Sequence, residues 1–337
     1  MRLIALEEHY SSKKVEKECE KYAVKRENGK AADETLKKFY ASFQQTTGRV
    51  LEDIEEMRLP FMDAHGISMQ VLSYNTSIPQ TLPADAAVGI YQMANDIMAE
   101  QIAGHPDRFC GFAALPMADP KRAAGELERC VRGLGFRGAM LNGNFNGHFY
   151  DEKQFFPIFE KAAELDVPVY FHPSFVPPFI SDYYYKSENW SPVVTGEFAS
   201  AGFGWHMDIG IHVVRMILSG IFDKLPGLKL FSGHWGEFVP CFLERMDAIL
   251  TQDKTGLNKK ISEYYKEHIF LTPSGILSEM QLEYCVKLMG ASHILYAVDY
   301  PYVKPENAGD FLMNSNLDTE EKEMISHRNA ERLMKLG

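Results

Sequence analysis

The chain has 337 residues, and its 35 basic and 46 acidic side chains give a formal net charge of −11. Hydrophobic residues make up 45% and charged residues 24% of the sequence, which excludes wholesale disorder because disorder needs low hydrophobicity together with high charge. The acidic balance argues against binding to nucleic acid or to anionic membranes, since both depend on clustered lysine and arginine. No apolar run reaches the ~18 residues of a membrane span, and the start MRLIALEEHY becomes acidic too soon for a secretory leader.

The cysteines favour a reducing, cytoplasmic environment. Their number is odd and no two of them form a Cys-x-x-Cys pair, so neither a disulfide framework nor a cysteine-based zinc site is expected. The five positions are Cys19, Cys110, Cys130, Cys241 and Cys285.

Eight short apolar runs alternate with helix-like segments along the chain. Each run is nearly continuously apolar, which is the pattern of a strand buried on both faces. Eight such strands separated by helices predict an α/β protein whose parallel sheet closes into a single (β/α)8 TIM barrel spanning residues 1–337. The runs are residues 2–9, 68–75, 109–116, 136–143, 167–174, 228–235, 268–274 and 293–301.

Periodic apolar positions between these runs predict amphipathic helices. Asp119 followed by Pro120 is a typical helix start, because proline suits the first helical position. The clearest predicted helices cover residues 84–103, 121–132, 153–164 and 209–218.

Two segments interrupt the alternation. Residues 11–50 are polar with mixed charges, and they predict a helical insertion after strand 1 that covers the barrel or contacts a neighbouring subunit, with a plain solvated surface as the alternative. Residues 175–205, after strand 5, are rich in aromatic residues, proline and glycine. Long loops in compact domains commonly carry function, so we expect a lid-like loop there.

Polar side chains stand at the carboxyl ends of the predicted strands, the end at which a parallel barrel carries its active site. Glu7 and His9 are two residues apart on an extended strand and therefore share a face, while Glu8 points the other way. A divalent cation would offset buried carboxylates and give neutral imidazoles a partner. The other polar residues at strand ends are Asn142, His172, His234 and Asp299.

Each of these residues taken alone has a structural explanation. A strand-end histidine can be a hydrogen-bonded core residue, Asp299 can be a turn former, and Glu7 can be a surface charge. Their joint placement at several strand ends favours a metal site. The mixed oxygen and nitrogen donors suit zinc, manganese or magnesium and do not distinguish among them. His206, on a predicted helix after the long loop, is a candidate for a substrate-binding or supporting role.

The motifs around these residues resemble those of the amidohydrolase-type metal-dependent decarboxylases. This group contains γ-resorcylate (2,6-dihydroxybenzoate), 2,3-dihydroxybenzoate and 5-carboxyvanillate decarboxylases, with aminocarboxymuconate semialdehyde decarboxylase as a more distant relative. The most specific element is the Glu-x-His of ALEEH, where hydrolytic amidohydrolases carry His-x-His. The similarity is essentially full length and runs through residues 5–9, 62–67, 105–116, 135–143, 167–173, 218–237, 298–301 and 329–336.

The resemblance implies roles at matching positions. His234 would be a catalytic residue beside a single divalent metal ion, and Glu237, three residues later, would orient or charge it. Asn142 and Arg245 would lie near the substrate, with Arg245 supplied by the same or by a neighbouring subunit. The implied metal ligands are Glu7, His9, His172 and Asp299.

The activity implied by the resemblance is non-oxidative decarboxylation of an ortho- or para-hydroxylated benzoate. Direct loss of carbon dioxide would leave a high-energy aryl carbanion, so protonation of the ring carbon must come first. Protonated Asp299 is the expected donor, with the metal as template and Lewis acid. The expected partners are a small aromatic acid and further copies of the chain in a homodimer or homotetramer.

Two alternatives stay open. A mononuclear, lactonase-type hydrolase would use the metal to lower the pKa of a bound water, with Asp299 as general base. A binuclear hydrolase is disfavoured, because the end of strand 4 offers Asn142 and no lysine for a bridging ligand. A non-catalytic protein that binds a metal or an aromatic ligand is the second alternative. Release of carbon dioxide from hydroxybenzoates, compared with lactone hydrolysis, distinguishes among the three.

Overall fold

The computed structural model describes residues 1–22, 48–75 and 78–336. Within these ranges seven strands lie side by side in sequence order, and every neighbouring pair is parallel. Parallel neighbours that follow each other in sequence need a crossover connection, which helices supply here. The strands are β1 (Leu3–Tyr10), β2 (Ile67–Tyr74), β3 (Phe109–Ala114), β4 (Ala139–Asn142), β5 (Val169–His172), β6 (Leu230–Ser232) and β7 (Ile269–Leu271).

The eighth predicted strand closes the barrel without forming a regular ladder. The Leu295 N–H donates to the Leu271 carbonyl at 2.8 Å on one side, and the Leu6 N–H donates to the Tyr296 carbonyl at 3.0 Å on the other. Asp299, near the end of this segment, has a φ of 68°, which interrupts extended backbone. The predicted TIM-type barrel is therefore confirmed, with an irregular eighth segment in place of a strand.

Helices cover the outside of the sheet, and the four predicted from periodicity are all present. At the start of the second of these, the Asp119 side chain accepts a hydrogen bond from the Arg122 N–H, and Pro120 occupies the first turn. No helix within the described ranges combines the length and apolarity needed to cross a bilayer.

The helices are α1 (Lys13–Glu20), α2 (Arg58–Ala64), α3 (Ala84–Gly104), α4 (Pro120–Gly133), α5 (Phe156–Leu165), α6 (Pro178–Ile180), α7 (Pro192–Ala199), α8 (Gly204–Leu218), α9 (Ile221–Lys224), α10 (Leu243–Ile249), α11 (Gln252–Thr255), α12 (Ile261–His268), α13 (Glu279–Met289), α14 (Phe311–Asn314), α15 (Thr319–Glu323) and α16 (Asn329–Met334). Short 3₁₀ turns cover Lys153–Phe155, Val239–Phe242 and Ala291–His293, and π-helical turns cover Ser181–Tyr185 and Met324–Arg328.

Two apolar layers flank the barrel wall. The inner layer takes alternate residues of each strand, such as Ile4 and Leu6 of β1 and Tyr170 of β5. The outer layer contains the intervening residues, such as Leu3 and Ala5, together with the apolar faces of the helices. The core therefore fills both sides of the sheet, as the unbroken apolar runs predicted.

The two irregular segments are only partly described. The predicted insertion at 11–50 begins with α1, whose N-terminus is capped by the Ser12 side chain through the Lys14 N–H. Residues 23–47 of the insertion lie outside the described residues. The segment 175–205 contains α6, α7 and a π-helical turn instead of an irregular loop, because Val176, Tyr185 and Ala199 form a small apolar cluster of their own. Its role as a lid stays a prediction.

Asn95 of α3 provides a test of how the helices are joined to the sheet. Its fully buried side chain accepts a hydrogen bond from the Ala114 N–H and donates one to the Ala114 carbonyl, both at 2.9 Å. We expect Asn95→Ala to lower the free energy of unfolding by about 1–3 kcal/mol, because these backbone groups lose their partners inside the protein. Urea unfolding followed by circular dichroism measures the change, and an unaltered midpoint would contradict the assigned contact.

Candidate metal centre and active site

A bulge in β1 turns Glu7 and His9 toward the barrel axis. Ala5 is opposite Gln70 and Glu8 is opposite Leu72, so β1 contains one residue more than β2 over this stretch. The inner layer already contains Leu6, and regular alternation would place Glu8 inside with it. The extra residue reverses the order, as bulges next to active sites commonly do. The predicted shared orientation of Glu7 and His9 is therefore present, but it depends on the bulge.

The structure brings the four predicted metal ligands together from three parts of the chain. One donor atom from each of them lies within 4.8 Å of the others. The His9 Nε2 is 3.1 Å from an Asp299 carboxylate oxygen, and the His172 Nε2 is 3.2 Å from Glu7 Oε1. All four side chains come from the carboxyl ends of β1, β5 and the eighth segment, where the βα loops of a barrel meet.

The unpaired polar atoms at this point fit a divalent cation. Glu7 Oε1, Asp299 Oδ1, both ring nitrogens of His9 and the His172 Nδ1 are buried without a hydrogen-bond partner among the described residues. Buried polar atoms in folded proteins nearly always have partners, so a cluster of such atoms indicates a missing ligand. Two carboxylates and two imidazoles are donors that zinc and manganese both accept.

The second oxygen of Glu7 is held from the inside of the barrel. The Tyr170 hydroxyl and the Ser274 hydroxyl both donate to Glu7 Oε2, and Thr272 bonds both of them, at 2.6 and 2.8 Å. At Gly233 a β-carbon would lie 2.9 Å from Glu7 Oε2, so only glycine leaves room for this carboxylate. The sequence gives no signal for this role, because a tyrosine within an apolar run is indistinguishable from an ordinary core residue.

The pKa values of the residues in this cluster are shifted in different directions. Burial alone would raise the pKa of Glu7, but His234, His172 and His9 outweigh it and hold that pKa far below its ordinary value. Burial, reinforced by the charge of Glu7, raises the pKa of Asp299 well above its ordinary value. Burial and His172 lower the pKa of His9, which keeps this imidazole neutral as metal ligation requires.

His234 and Glu237 form an ion pair, as predicted, and His206 joins it. Glu237 accepts from His234 Nδ1 at 2.7 Å and from His206 Nδ1 at 2.8 Å. Burial would lower the pKa of His234, but Glu237, Glu7 and Asp299 outweigh it and raise that pKa to about 10. The pair forms because residues 234–238 all have positive φ, a tight turn that brings His234 back against Glu237.

The remaining predicted residues differ in their placement. Asn142 pairs with His172 across β4 and β5, and its side-chain oxygen is buried without a hydrogen-bond partner in the described part of the chain. Arg245 is exposed on α10, and it forms no hydrogen bond or ion pair with the described residues of the site. Its supply by a neighbouring subunit, and the direct substrate contact proposed for His206, stay predictions.

Glu8 was given no role from sequence, yet it is fully buried. Its carboxylate accepts hydrogen bonds from the backbone N–H groups of Val298 and Tyr300 and from the Gln70 amide. Burial raises the pKa of Glu8 to about 8, although the Val298 N–H and Arg58 act against this shift. Three donors nevertheless face the carboxyl oxygens of Glu8, so both oxygens serve as hydrogen-bond acceptors.

Comparisons with known proteins match most of the chain to one family. The sequence model of the family described as Amidohydrolase matches residues 44–336. A γ-resorcylate decarboxylase of Polaromonas sp. (strain JS666) is 38% identical over 300 residues, which cover 85% of this chain and 89% of that protein. A γ-resorcylate decarboxylase of Rhizobium sp. (strain MTP-10005) is 35% identical over 297 residues, which cover 85% and 88%.

A solved structure extends the similarity to the whole fold. The crystal structure of a dihydroxybenzoic acid decarboxylase from Polaromonas sp. JS666 contains manganese and the inhibitor 2-nitroresorcinol. It matches with a TM-score of 0.83 and 33% identity, over 99% of this chain and 97% of that one. The resemblance predicted from ALEEH and the accompanying motifs is thus confirmed, and the chain belongs to the amidohydrolase family.

Proposed function

We propose that this protein is a metal-dependent, non-oxidative decarboxylase of hydroxybenzoates, with 2,6-dihydroxybenzoate as the first candidate substrate. The observation that carries the proposal is the cluster of Glu7, His9, His172 and Asp299 at the mouth of the barrel, which contains several buried donor atoms without a hydrogen-bond partner among the described residues. The γ-resorcylate decarboxylases among its relatives support the reaction class, and the manganese in the Polaromonas structure supports a divalent ion. Manganese is the first candidate metal, followed by zinc and magnesium.

The reaction needs one proton for each molecule of carbon dioxide released. The ring carbon that bears the carboxylate takes a proton first, using the electron density that an ortho hydroxyl donates as phenolate. The bond to the carboxylate then breaks, carbon dioxide leaves, and its bonding electron pair returns to the ring. The metal, when bound, supplies Lewis-acid stabilisation of the substrate oxygens. The residues of the chain must supply the proton and hold the ring.

Two side chains can carry that proton. Asp299 is the proposed donor to the ring carbon because its carboxylate lies at the metal centre; a bound cation would favour its ionised form, so the proton must reach it from the substrate or from the His234–Glu237 pair. His234 is the proposed source that reloads it, since Glu237 keeps this imidazole cationic. Asn142, whose side-chain oxygen is unpaired beside His172, is the proposed contact for a substrate hydroxyl.

The proposed reaction predicts which compounds release carbon dioxide. With Mn²⁺ bound, the protein should convert 2,6-dihydroxybenzoate to resorcinol and carbon dioxide, and leave benzoate unchanged, because benzoate has no hydroxyl to activate the ring carbon. Gas release and ring absorbance measure the reaction. At a Mn²⁺ concentration that keeps the site occupied, Asp299→Asn should reduce kcat by about 100-fold or more through loss of the acid. Hydrolysis of lactones without carbon dioxide release would instead identify a hydrolase.

The proposed metal centre predicts stabilisation by Mn²⁺. A ligand that binds only the folded state adds about 2.7 kcal/mol at a concentration 100 times its dissociation constant, so Mn²⁺ should raise the melting temperature of metal-free protein. His172→Ala removes one donor and should abolish most of this shift. The Asn95→Ala variant is the control, since it is destabilised but should gain as much from Mn²⁺ as the wild type. Equal shifts in the His172→Ala variant and the wild type would exclude the site.

The His234–Glu237 pair predicts a change in pH dependence. His234 acts as an acid, so activity is lost as pH rises through its raised pKa. Glu237→Gln removes the largest influence that raises this pKa and leaves burial, which lowers it. The basic limb of kcat/KM should therefore move to lower pH by about one unit or more. Glu152→Gln, which breaks a similar pair with His148 at the surface, should leave the profile unchanged. An unshifted limb in Glu237→Gln would count against His234 as the acid.

A further inference from the structure

The carboxylate of Glu8 binds the backbone on both sides of Asp299. Glu8 Oε1 accepts the Val298 N–H at 2.9 Å, and Glu8 Oε2 accepts the Tyr300 N–H at 3.2 Å. One side chain of β1 therefore holds the two peptide groups that flank a proposed metal ligand almost 300 residues later in the chain. Glu8 itself faces away from the cluster that contains Glu7.

These hydrogen bonds replace the ladder that this part of the barrel lacks. Near Asp299 the eighth segment is joined to β1 by one isolated bridge between Tyr300 and Glu8, in which the His9 N–H donates to the Tyr300 carbonyl at 2.6 Å, as far as the described residues extend. Asp299 also has a φ of 68°, a conformation that residues with a β-carbon rarely adopt. The direction of its carboxylate therefore depends on what holds the neighbouring peptides.

The same network reaches the backbone of His9. The Gln70 amide donates to Glu8 Oε2 at 3.1 Å and accepts from the Arg58 guanidinium at 3.1 Å. The Arg58 guanidinium in turn donates to the His9 carbonyl. All three network side chains are fully buried. The chain of bonds thus ties the peptides beside Asp299 to the peptide of His9, whose side chain meets Asp299 at 3.1 Å.

We propose that Glu8 is a positioning residue, which fixes the Asp299 carboxylate relative to His9 so that both donors face one metal ion. This inference rests on the proposed metal centre but not on the identity of the substrate. Glu8→Gln preserves the shape of the side chain and replaces one acceptor oxygen with an NH₂ donor. That donor would face a backbone N–H, so either Val298 or Tyr300 loses its hydrogen bond.

The test is a titration of metal-free protein with Mn²⁺, in which electron paramagnetic resonance measures the free ion and no substrate is present. We expect Glu8→Gln to raise the dissociation constant about 10- to 100-fold, as loss of groups that orient metal ligands typically does. Asn95→Ala is the matched control, because it removes an equally buried side chain that holds backbone groups of β3 instead. Its dissociation constant should equal that of the wild type, whatever its stability.

Hydrogen exchange is a second measurement, and it distinguishes a local loss of hydrogen bonds from a general loss of stability. In Glu8→Gln the amide protons of Val298 and Tyr300 should exchange faster, while those of β3 stay protected, and Asn95→Ala should give the reverse pattern. If Glu8→Gln does not fold, Glu8→Asp serves instead, since it keeps the charge but is too short to reach both amides. Wild-type Mn²⁺ affinity in the variant would overturn the proposal, whatever the exchange rates at residues 298 and 300.

The outcomes also separate this proposal from the proposed function. A wild-type protein that binds Mn²⁺, depends on Glu8 for affinity and releases no carbon dioxide would support the positioning role and reject the decarboxylase. A wild-type protein that binds no Mn²⁺ under any condition would reject both. Decarboxylation with unaltered Mn²⁺ affinity in Glu8→Gln would reject the positioning role alone.

Discussion

The burial of opposed charges at the mouth of a closed barrel is the constraint on which the rest of the site depends. Burying an ionised carboxylate costs several kcal/mol unless it is paired and hydrogen-bonded. The Tyr170 and Ser274 hydroxyls donate only to Glu7 Oε2. Glu7 Oε1 has no hydroxyl donor in the described structure. Both ring nitrogens of His9 are likewise buried without a hydrogen bond to any described residue, although Nε2 lies 3.1 Å from the Asp299 carboxylate. Only a group that accepts electron pairs from oxygen and nitrogen together relieves all of these atoms at one point.

That constraint is met by two departures from regular β structure. A regular β1 would continue from Leu6 to present Glu8 inside the barrel, and the bulge presents Glu7 and His9 instead. A regular eighth strand would alternate through Asp299 in extended conformation, and its positive φ redirects the carboxylate. Irregular backbone of this kind persists where the surrounding structure holds it. Glu8 lies at the β1 bulge, and its carboxylate also accepts hydrogen bonds from the peptides on both sides of Asp299.

The sequence predicts those features of the fold and the site that depend on residues close together in the chain. Eight apolar runs predict the barrel, and polar residues directly after them, such as His172 and Asp299, predict the site. The parts that it does not predict depend on pairing between distant segments. Glu7 bonds Tyr170 and Ser274 across 163 and 267 residues, and neither partner differs in type from ordinary core or turn residues. The bulge in β1 also cannot be predicted from the sequence, because ALEEH is compatible with an extended strand in either register.

One physical effect, burial, has three different outcomes among the titratable groups of the site. It lowers the pKa of His9, which has another imidazole beside it, and so prepares a neutral ligand. It would do the same to His234, but the turn at 234–238 sets Glu237 against that ring and reverses the result. In Asp299 burial and Glu7 act in the same direction, toward the protonated acid. The direction of each pKa shift is therefore set by the group's nearest neighbours, which is why two imidazoles in one pocket have pKa values shifted in opposite directions.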